Sequence, residues 1–352
     1  MQRESSVAAP GRVNLIGEHI DYHGLPVLPI ALDRRVRLTF RPRTDRRIAA
    51  SSASYGARMF DWTDDLAPVA RGDWENYLRA AARVAATFLP ASRVGIDAEI
   101  SSDLPAAAGL SSSSALIVAT TLGLLRANGY NPTFEELMAV LPDGEQFVGT
   151  RGGCMDHAAS LGSRAGHASL IGFDPVSIRH VPIPKDWRFL VANSLVRAEK
   201  SGAAREEYNA RRNATMSARA KVAAGEALTA LEEEAYRHVT SEAERVGLAV
   251  RAMERDEPEL FGRLMLLSHE SLRDRLRVSC PALNEMVNLA MEAGALGARL
   301  TGAGFGGCIV ALTTADRFQA VRTRLLRRQP GLNEQHVFEA VAGDGALRES
   351  QT

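Results

Sequence analysis

Apolar and polar residues alternate over 94–100, the period-two signature of a strand, and 27–32 also reads as strand. Residues 36–50 alternate basic with apolar side chains, which predicts hairpin strands with a solvated outer face; the charged run 41–47 belongs to that face. Helical stretches are predicted at about 74–89, 115–125 and 133–141, the second stopping near Gly129. Further strands are expected at 168–173 and 188–193. From 202 to 294 the period is helical almost throughout. Three helices are expected there, with a connection at 273–279 and charged faces at 205–212 and 231–245 turned to water. Near the end, 298–312 sets a cluster of glycines between two strand-like stretches.

With 352 residues the chain can bury a large core, and two domains are expected. A composition 45% hydrophobic and 24% charged is that of a globular protein. Acidic and basic residues balance at 42 each, so no global field favours nucleic acid or an anionic membrane. The opening residues lack a signal-peptide pattern, and no apolar run is long enough to span a bilayer, so a soluble cytoplasmic protein is expected. Cys154, Cys280 and Cys308 are too few and too scattered for a disulfide framework or a zinc cage. Neither an internal repeat nor a linker marks a domain boundary.

The stretch 104–115 organises the candidate chemistry. A small-residue loop, Ala106 to Gly109, leads through four serines, Ser111 to Ser114, into an apolar helix. A helix start offers free N–H groups and a favourable dipole to phosphate, and serine hydroxyls can ligate a hard cation. An ordinary capped helix has the same pattern. At the N-terminus, 9–24 crowds polar residues between glycines. Glu18, His19 and Asp21 suit the hydroxyls of a sugar, whereas His19, Asp21 and His23 on one extended face would make only an incomplete metal site. Asp156, after Gly152 and Gly153, is either a ligand contact or the cap of a short helix. Trp74, at a helix start, either packs in the core or stacks on a base. Gly302, Gly304 and Gly307 satisfy G-x-G-x-x-G, but a strand pattern follows where a dinucleotide fold needs a helix, so that reading is rejected. A turn closing over a ligand remains. Neither a Walker A lysine motif nor the H-R-D and D-F-G set is present.

Taken together, these motifs resemble the GHMP small-molecule kinases, and within them the galactokinases. The likeness rests on Gly11-Arg12-Val13-Asn14-Leu15-Ile16-Gly17-Glu18-His19 with Asp21-Tyr22, Trp74-x-Asn76-Tyr77, Gly109-Leu110-Ser111-Ser112-Ser113, Met155-Asp156 and Thr301-Gly302-x-Gly304-Phe305-Gly306-Gly307-Cys308. It continues in Asn193-Ser194, Tyr208-x-x-Arg211-Arg212, His269-x-Ser271-Leu272-Arg273-Asp274 and Val278-Ser279-Cys280-Pro281, nearly the length of the chain.

The resemblance implies an α+β protein of two domains. Residues 1–184 would form an N-terminal α/β sandwich, and 185–352 a C-terminal ferredoxin-like core with extra helices. The active site would lie between them. It implies an ATP-dependent kinase acting on a sugar anomeric hydroxyl, with Mg²⁺ as cofactor and a monomer or weak dimer as the working state. Ala107, Ala108, Gly109, Leu110, Ser111 and Ser112 would cradle the phosphates, Ser113 and Glu145 would hold Mg²⁺, and Trp74 would lie beside the adenine. Glu18, His19, Asp21, Gly153, Asp156 and Tyr208 would contact the sugar, with Arg12 and Asp156 flanking the attacking hydroxyl. An adjacent Arg12 should depress the Asp156 carboxyl and make it a weak base.

The sequence departs from the family at several points. Ala106 and Ala107 replace glycines, His23 and Leu25 stand where asparagine and glycine are usual, and His157 follows Asp156 in place of glutamine. Thr150-Arg151-Gly152 is also unusual. Arg151 could pair with the carboxylate of a uronic acid, neutralise Glu145 or Asp156, or face water. Because Glu18 would repel a carboxylate at the sugar's sixth carbon, a neutral sugar is favoured over galacturonate, with arabinose a further alternative. A non-catalytic sugar and ATP sensor is disfavoured by the retained serine loop, Arg12 and Asp156. Only ten residues precede the first motif, and a shorter leader should affect stability more than chemistry.

Overall fold

The alternating segments of the first third assemble into one sheet in a computed structural model that describes residues 4–105, 108–149, 153–196, 203–328 and 331–349. Its strands are β1 (Ser5–Asn14), β2 (Pro29–Pro42), β3 (Arg47–Ser52), β4 (Gly56–Asp61) and β5 (Ile96–Ser102). The order is β1-β2-β5-β3-β4, antiparallel except for the parallel β3–β5 pair. The expected 36–50 hairpin is therefore corrected: β5 lies between β2 and β3. The turn after β2 wraps the entry of β5, with Arg43 N donating to Gly95 O, Gly95 N donating to Asp45 O, and the Arg43 guanidinium reaching Asp97. Only glycine fits there, because a Cβ on Gly95 would lie 1.9 Å from Arg47 O.

Of the helices α1 (Glu75–Ala86), α2 (Ser112–Ala127), α3 (Phe134–Val148) and α4 (Met155–Gly162), α2 and α4 pack on this sheet, while α1 packs on α2 and α3 on α1. From Ser114 to Leu125 almost every residue of α2 is buried, which matches a sequence apolar on all sides. Gly123 lets α2 approach β2, since a Cβ there would meet Leu38 Cδ2 at 2.3 Å. Beyond the predicted 141, α3 continues until Gly149 caps it in the left-handed region, and this extra turn carries Glu145. Strands β6 (His167–Phe173) and β7 (Val176–Pro182) form a separate hairpin.

The second sheet comprises β8 (Trp187–Asn193), β9 (Gly297–Thr301), β10 (Cys308–Thr314) and β11 (Val337–Glu339), antiparallel in the order β11-β8-β10-β9. Its helices are α5 (Ala203–Ala224), α6 (Ala230–Glu254), α7 (Pro258–Glu270), α8 (Pro281–Glu292) and α9 (Phe318–Leu326). Four helices, rather than three, occupy the described part of 202–294. Asp256, with φ of 55°, and Pro258 break α6 from α7, and Pro281 starts α8. A π-helical turn, Ser271–Arg275, takes up much of the expected connection. One apolar core runs from the first sheet through α2 into α6, α7 and β10. The chain end crosses back to the first sheet: Gly343 N donates to Ala31 O, and a short last helix, α10 (Ala346–Glu349), packs on α4. Among the described residues no helix is long and apolar enough to cross a membrane.

Candidate active site

Three glycine-bearing segments far apart in sequence meet backbone to backbone. A shift in register between Pro10 and Arg12 kinks β1, and Arg12 N donates to Leu110 O at 3.1 Å. Gly11 has no room for a side chain, because a Cβ would lie 2.6 Å from Leu110 O. From the other side, the β9–β10 turn closes on the same loop: a Cβ on Gly302 would lie 3.0 Å from Gly109 O, and one on Gly307 would lie 3.0 Å from Ala108 O. The glycine-rich turn does join two strands, as its context requires. Gly109 and Ser111 take left-handed conformations on the way into α2. The first intrahelical bond runs from Ala115 N to Ser111 O, so the amides of Ser112, Ser113 and Ser114 stand at the open helix start.

Arg12 and Asp156, 144 positions apart, form an ion pair beside this loop. The Arg12 Nη2 and Nε atoms lie 2.6 and 2.7 Å from Asp156 Oδ1, and Arg12 Nη1 donates to Gly109 O at 2.7 Å. Burial disfavours the guanidinium charge, but Asp156, Glu18 and Asp21 outweigh it and keep Arg12 above its ordinary pKa. The other carboxylate oxygen of Asp156 accepts from the Ser111 hydroxyl at 2.5 Å. Asp156 is not the cap of α4. Cys154 holds that position, and Asp156 sits in the first turn with its carboxylate turned to the loop.

The loop after β1 supplies the neighbouring wall. Asp21 lies against Gly153, where a Cβ would fall 1.8 Å from Asp21 Oδ2. Burial, with Asp156 and Glu18 nearby, raises the Asp21 carboxyl to about 7. His19 has φ of 62°, lies 3.2 Å from both Tyr22 Oη and Ala303 O, and packs on Tyr208 with ring centroids 5.6 Å apart. Burial lowers its pKa to about 3, so it is a neutral imidazole. Burial also pushes Tyr208 well above the usual tyrosine range, followed by the effects of Tyr22 and Asp21. Cys154 is raised to about 11 by burial and by Asp21 and Glu145, so it is a thiol rather than a nucleophilic thiolate.

Glu18 faces inward more than expected for a sugar ligand. It is buried, Gly302 N donates to its Oε1 at 2.6 Å, and Arg299 Nη2 lies 3.7 Å away. Burial raises its carboxyl, opposed by Arg299 and Arg12. Behind it runs a polar layer absent from the expected site. Gly17 N and the Ser268 hydroxyl donate to Glu242 at 2.9 and 2.6 Å, Arg245 pairs with Glu242 at 2.8 Å, and His238 lies 3.0 Å from Glu18 O. Burial pushes Glu242 up, but His238, Arg245 and Arg299 outweigh it and bring the carboxyl to about 2. Arg299 is fully buried in β9, and a charge inside an otherwise apolar strand was its only sequence signal.

The hydroxyl bonded to Glu145 is that of Ser114, while Ser113, expected beside Glu145 as a Mg²⁺ ligand, sits half-buried in the same turn. Trp74 is 8% exposed and donates its indole N–H to Tyr55 O at 3.0 Å, so it packs in the core with little face left for a base. Ala107 and Arg151 lie outside the described residues. Among the described residues, no three His, Cys, Asp or Glu side chains converge as a metal cage. One buried carboxylate, Glu145, among serine hydroxyls is an oxygen donor set of the kind Mg²⁺ uses when phosphates and water complete its shell.

An open helix start with a buried Arg–Asp pair bonded to the loop before it is an arrangement suited to phosphoryl transfer, and the class of protein is that of the small-molecule kinases. Residues 76–164 match the family described as GHMP kinases N terminal domain, 249–330 match GHMP kinases C terminal, and 2–42 match the galactokinase galactose-binding signature. Galactokinase of Chloroflexus aurantiacus is 39% identical over 335 residues, covering 89% of this chain and 84% of the relative. Galactokinase of Pasteurella multocida is 34% identical, covering 94% and 91%. A crystal structure of Lactococcus lactis galactokinase complexed with galactose superposes with a TM-score of 0.87 at 25% identity, covering 97% of this chain and 94% of that one. Methanococcus jannaschii mevalonate kinase shares the fold, with a TM-score of 0.72 at 19% identity over 98% and 99% of the two chains. The chain belongs to the galactokinase family of GHMP kinases, and its architecture is the two-domain α+β fold of that superfamily, whose members use ATP.

Proposed function

We propose that the chain transfers the γ-phosphoryl group of ATP to the anomeric hydroxyl of galactose, giving galactose 1-phosphate and ADP. The observation carrying this reading is the Arg12–Asp156 pair, bonded on one side to the phosphate loop and set on the other beside Asp21 and Gly153. A hydroxyl seated against Asp156 is thereby aimed at a phosphate on the start of α2. Phosphoryl transfer is mostly positioning and charge stabilisation, so a weak base suffices. Asp156 orients the hydroxyl and takes its proton late, and Arg12 stabilises charge developing on the transferred group. Glu145 and hydroxyls at the start of α2 would hold Mg²⁺, which supplies charge neutralisation at the phosphates. Neutral His19, Asp21 and Tyr208 suit the hydroxyls of an uncharged sugar. Two carboxylates at the wall, Asp21 and Asp156, disfavour a uronate. The domain division at 184/185 is proposed as the point where the chain passes from the first sheet's layer to the second.

The test is ADP release from MgATP with galactose, galacturonate, arabinose, N-acetylgalactosamine or no sugar. Turnover on galactose is expected. Turnover on galacturonate alone would overturn the reading and direct attention to Arg151. Binding of ATP and sugar without turnover would identify a sensor.

A further inference from the structure

Four serines open α2, and the hydroxyl of the last is turned to the carboxylates of two other helices. Ser114 is fully buried. Its hydroxyl donates to Glu145 Oε1 and lies 3.4 Å from Asp156 Oδ2. The two carboxylates are thus within reach of one oxygen, while Arg12 and Ser111 hold Asp156 from its other sides. A hydroxyl carries a single proton, so Ser114 can serve only one of them at a time, and the shorter contact is with Glu145. Glu145 is itself buried on α3, and no other donor to its carboxylate is found among the described residues.

We propose that Ser114 is the positioning residue for Glu145: its hydroxyl fixes the carboxylate in the orientation that receives a divalent cation and separates it from Asp156. The inference rests on the kinase reading above and deepens it. Without the hydroxyl, Glu145 keeps its burial but loses its donor, and two neighbouring carboxylates face each other with nothing polar between them. Rotation of Glu145 away from Asp156 relieves that repulsion and spoils the cation site. Partners that orient a ligating carboxylate typically matter by an order of magnitude or more in metal affinity. The sugar wall, built from other elements, is left in place.

The test compares wild type with Ser114→Ala and Ser114→Thr. Mn²⁺ binding is titrated by electron paramagnetic resonance with a non-hydrolysable ATP analogue present, and galactose binding is measured by calorimetry without nucleotide. Ser114→Ala should weaken Mn²⁺ binding about 10-fold or more and leave the galactose Kd within about 2-fold, and Ser114→Thr, which keeps a hydroxyl, should recover most of the loss. In turnover, the Mg²⁺ concentration for half-activation should rise more than kcat falls. Unchanged Mn²⁺ binding in Ser114→Ala overturns the inference. So does equal weakening of Mn²⁺ and galactose with a lowered Tm, since that marks general damage to the site. Failure of the wild type to bind the Mn²⁺–nucleotide complex or galactose at all overturns the kinase reading, and this inference with it.

Discussion

Replacing Gly153 by alanine places a Cβ where the Asp21 carboxylate now sits, 1.8 Å from Oδ2 and 2.2 Å from Cγ. Ordinary contact begins near 3.4 Å, so the carboxylate must retreat by about 1.5 Å. A shift of that size breaks a hydrogen bond, which tolerates only a few tenths of an ångström. The backbone at Gly153 lies outside the left-handed region, so an alanine costs little in conformation, and its nearest clash is with the Asp21 carboxylate. A hydrogen bond to a charged group contributes about 1.5–3 kcal/mol, which predicts a fall of about 10- to 100-fold in kcat/KM for galactose. The KM for ATP and the Tm should change little. Steady-state kinetics with galactose varied at saturating MgATP measures the loss, and the same substitution in an Asp21→Ala background should be nearly silent. A kcat/KM for galactose within about 2-fold of wild type would refute the contact between Gly153 and a functional Asp21.

Other expectations follow from the same geometry. Arg12→Ala and Asp156→Asn should each abolish most turnover while ATP binding, followed by calorimetry, is retained; near-normal rates in either would sink the assigned roles. Asp21 has a folded-state pKa of about 7, above its unfolded value near 3.9, so its contribution to stability is full below about pH 4 and is lost as pH rises through 7. His19 and His238, held at about 3 and 4 by burial, act in the opposite sense, favouring the fold as pH rises from about 4 to 6.5. The Tm difference between Asp21→Asn and wild type should therefore grow in favour of the variant from pH 5 to 8, and a constant difference would contradict the assignment. Arg299→Met should leave Glu18 buried without its nearest cation and Glu242 with Arg245 alone, and denaturant unfolding should show a loss of about 3–5 kcal/mol. A change below about 1 kcal/mol would mean that the buried layer is not electrostatically coupled.

Much of the site was legible because its parts are backbone devices with sequence signatures. Gly11, Gly109, Gly302 and Gly307 mark close approaches of main chain to main chain, and only glycine tolerates most of them. Arg12, Asp21 and Asp156 were singled out by their setting among those glycines and by the family likeness. What could not be read was orientation. A run of four serines entering a helix does not say which hydroxyl faces Glu145, because successive residues differ by about 100° around the axis. The family likeness points to Ser113 as a cation ligand, and that Ser114 is the serine bonded to Glu145 is visible only in the fold. Trp74 illustrates the same limit: an aromatic at a helix start is compatible with base or core, and only the fold shows it 8% exposed with its N–H donating to Tyr55 O.

Long-range pairing was equally hidden. The alternation in 36–50 reveals strands but not that β5, some fifty residues later, inserts between them. Glu242 and Arg245 looked like part of a solvated helix face at 231–245, yet Glu242 is fully buried against Gly17 and Ser268. Period alone cannot separate an exposed charge from one neutralised by a partner on a distant strand. In Arg299 the conflict between a charge and an apolar strand was visible, and it marked the layer that fastens the loop after β1 to the second sheet.

The central claim is that Arg12 and Asp156 aim a sugar's anomeric hydroxyl at the phosphate held on α2. Phosphorus NMR of the product formed from galactose and MgATP tests it most directly. A sugar phosphate resonance split by the anomeric proton is predicted. A resonance coupled to the protons of the sixth carbon, or ADP and free phosphate without any sugar phosphate, would contradict it.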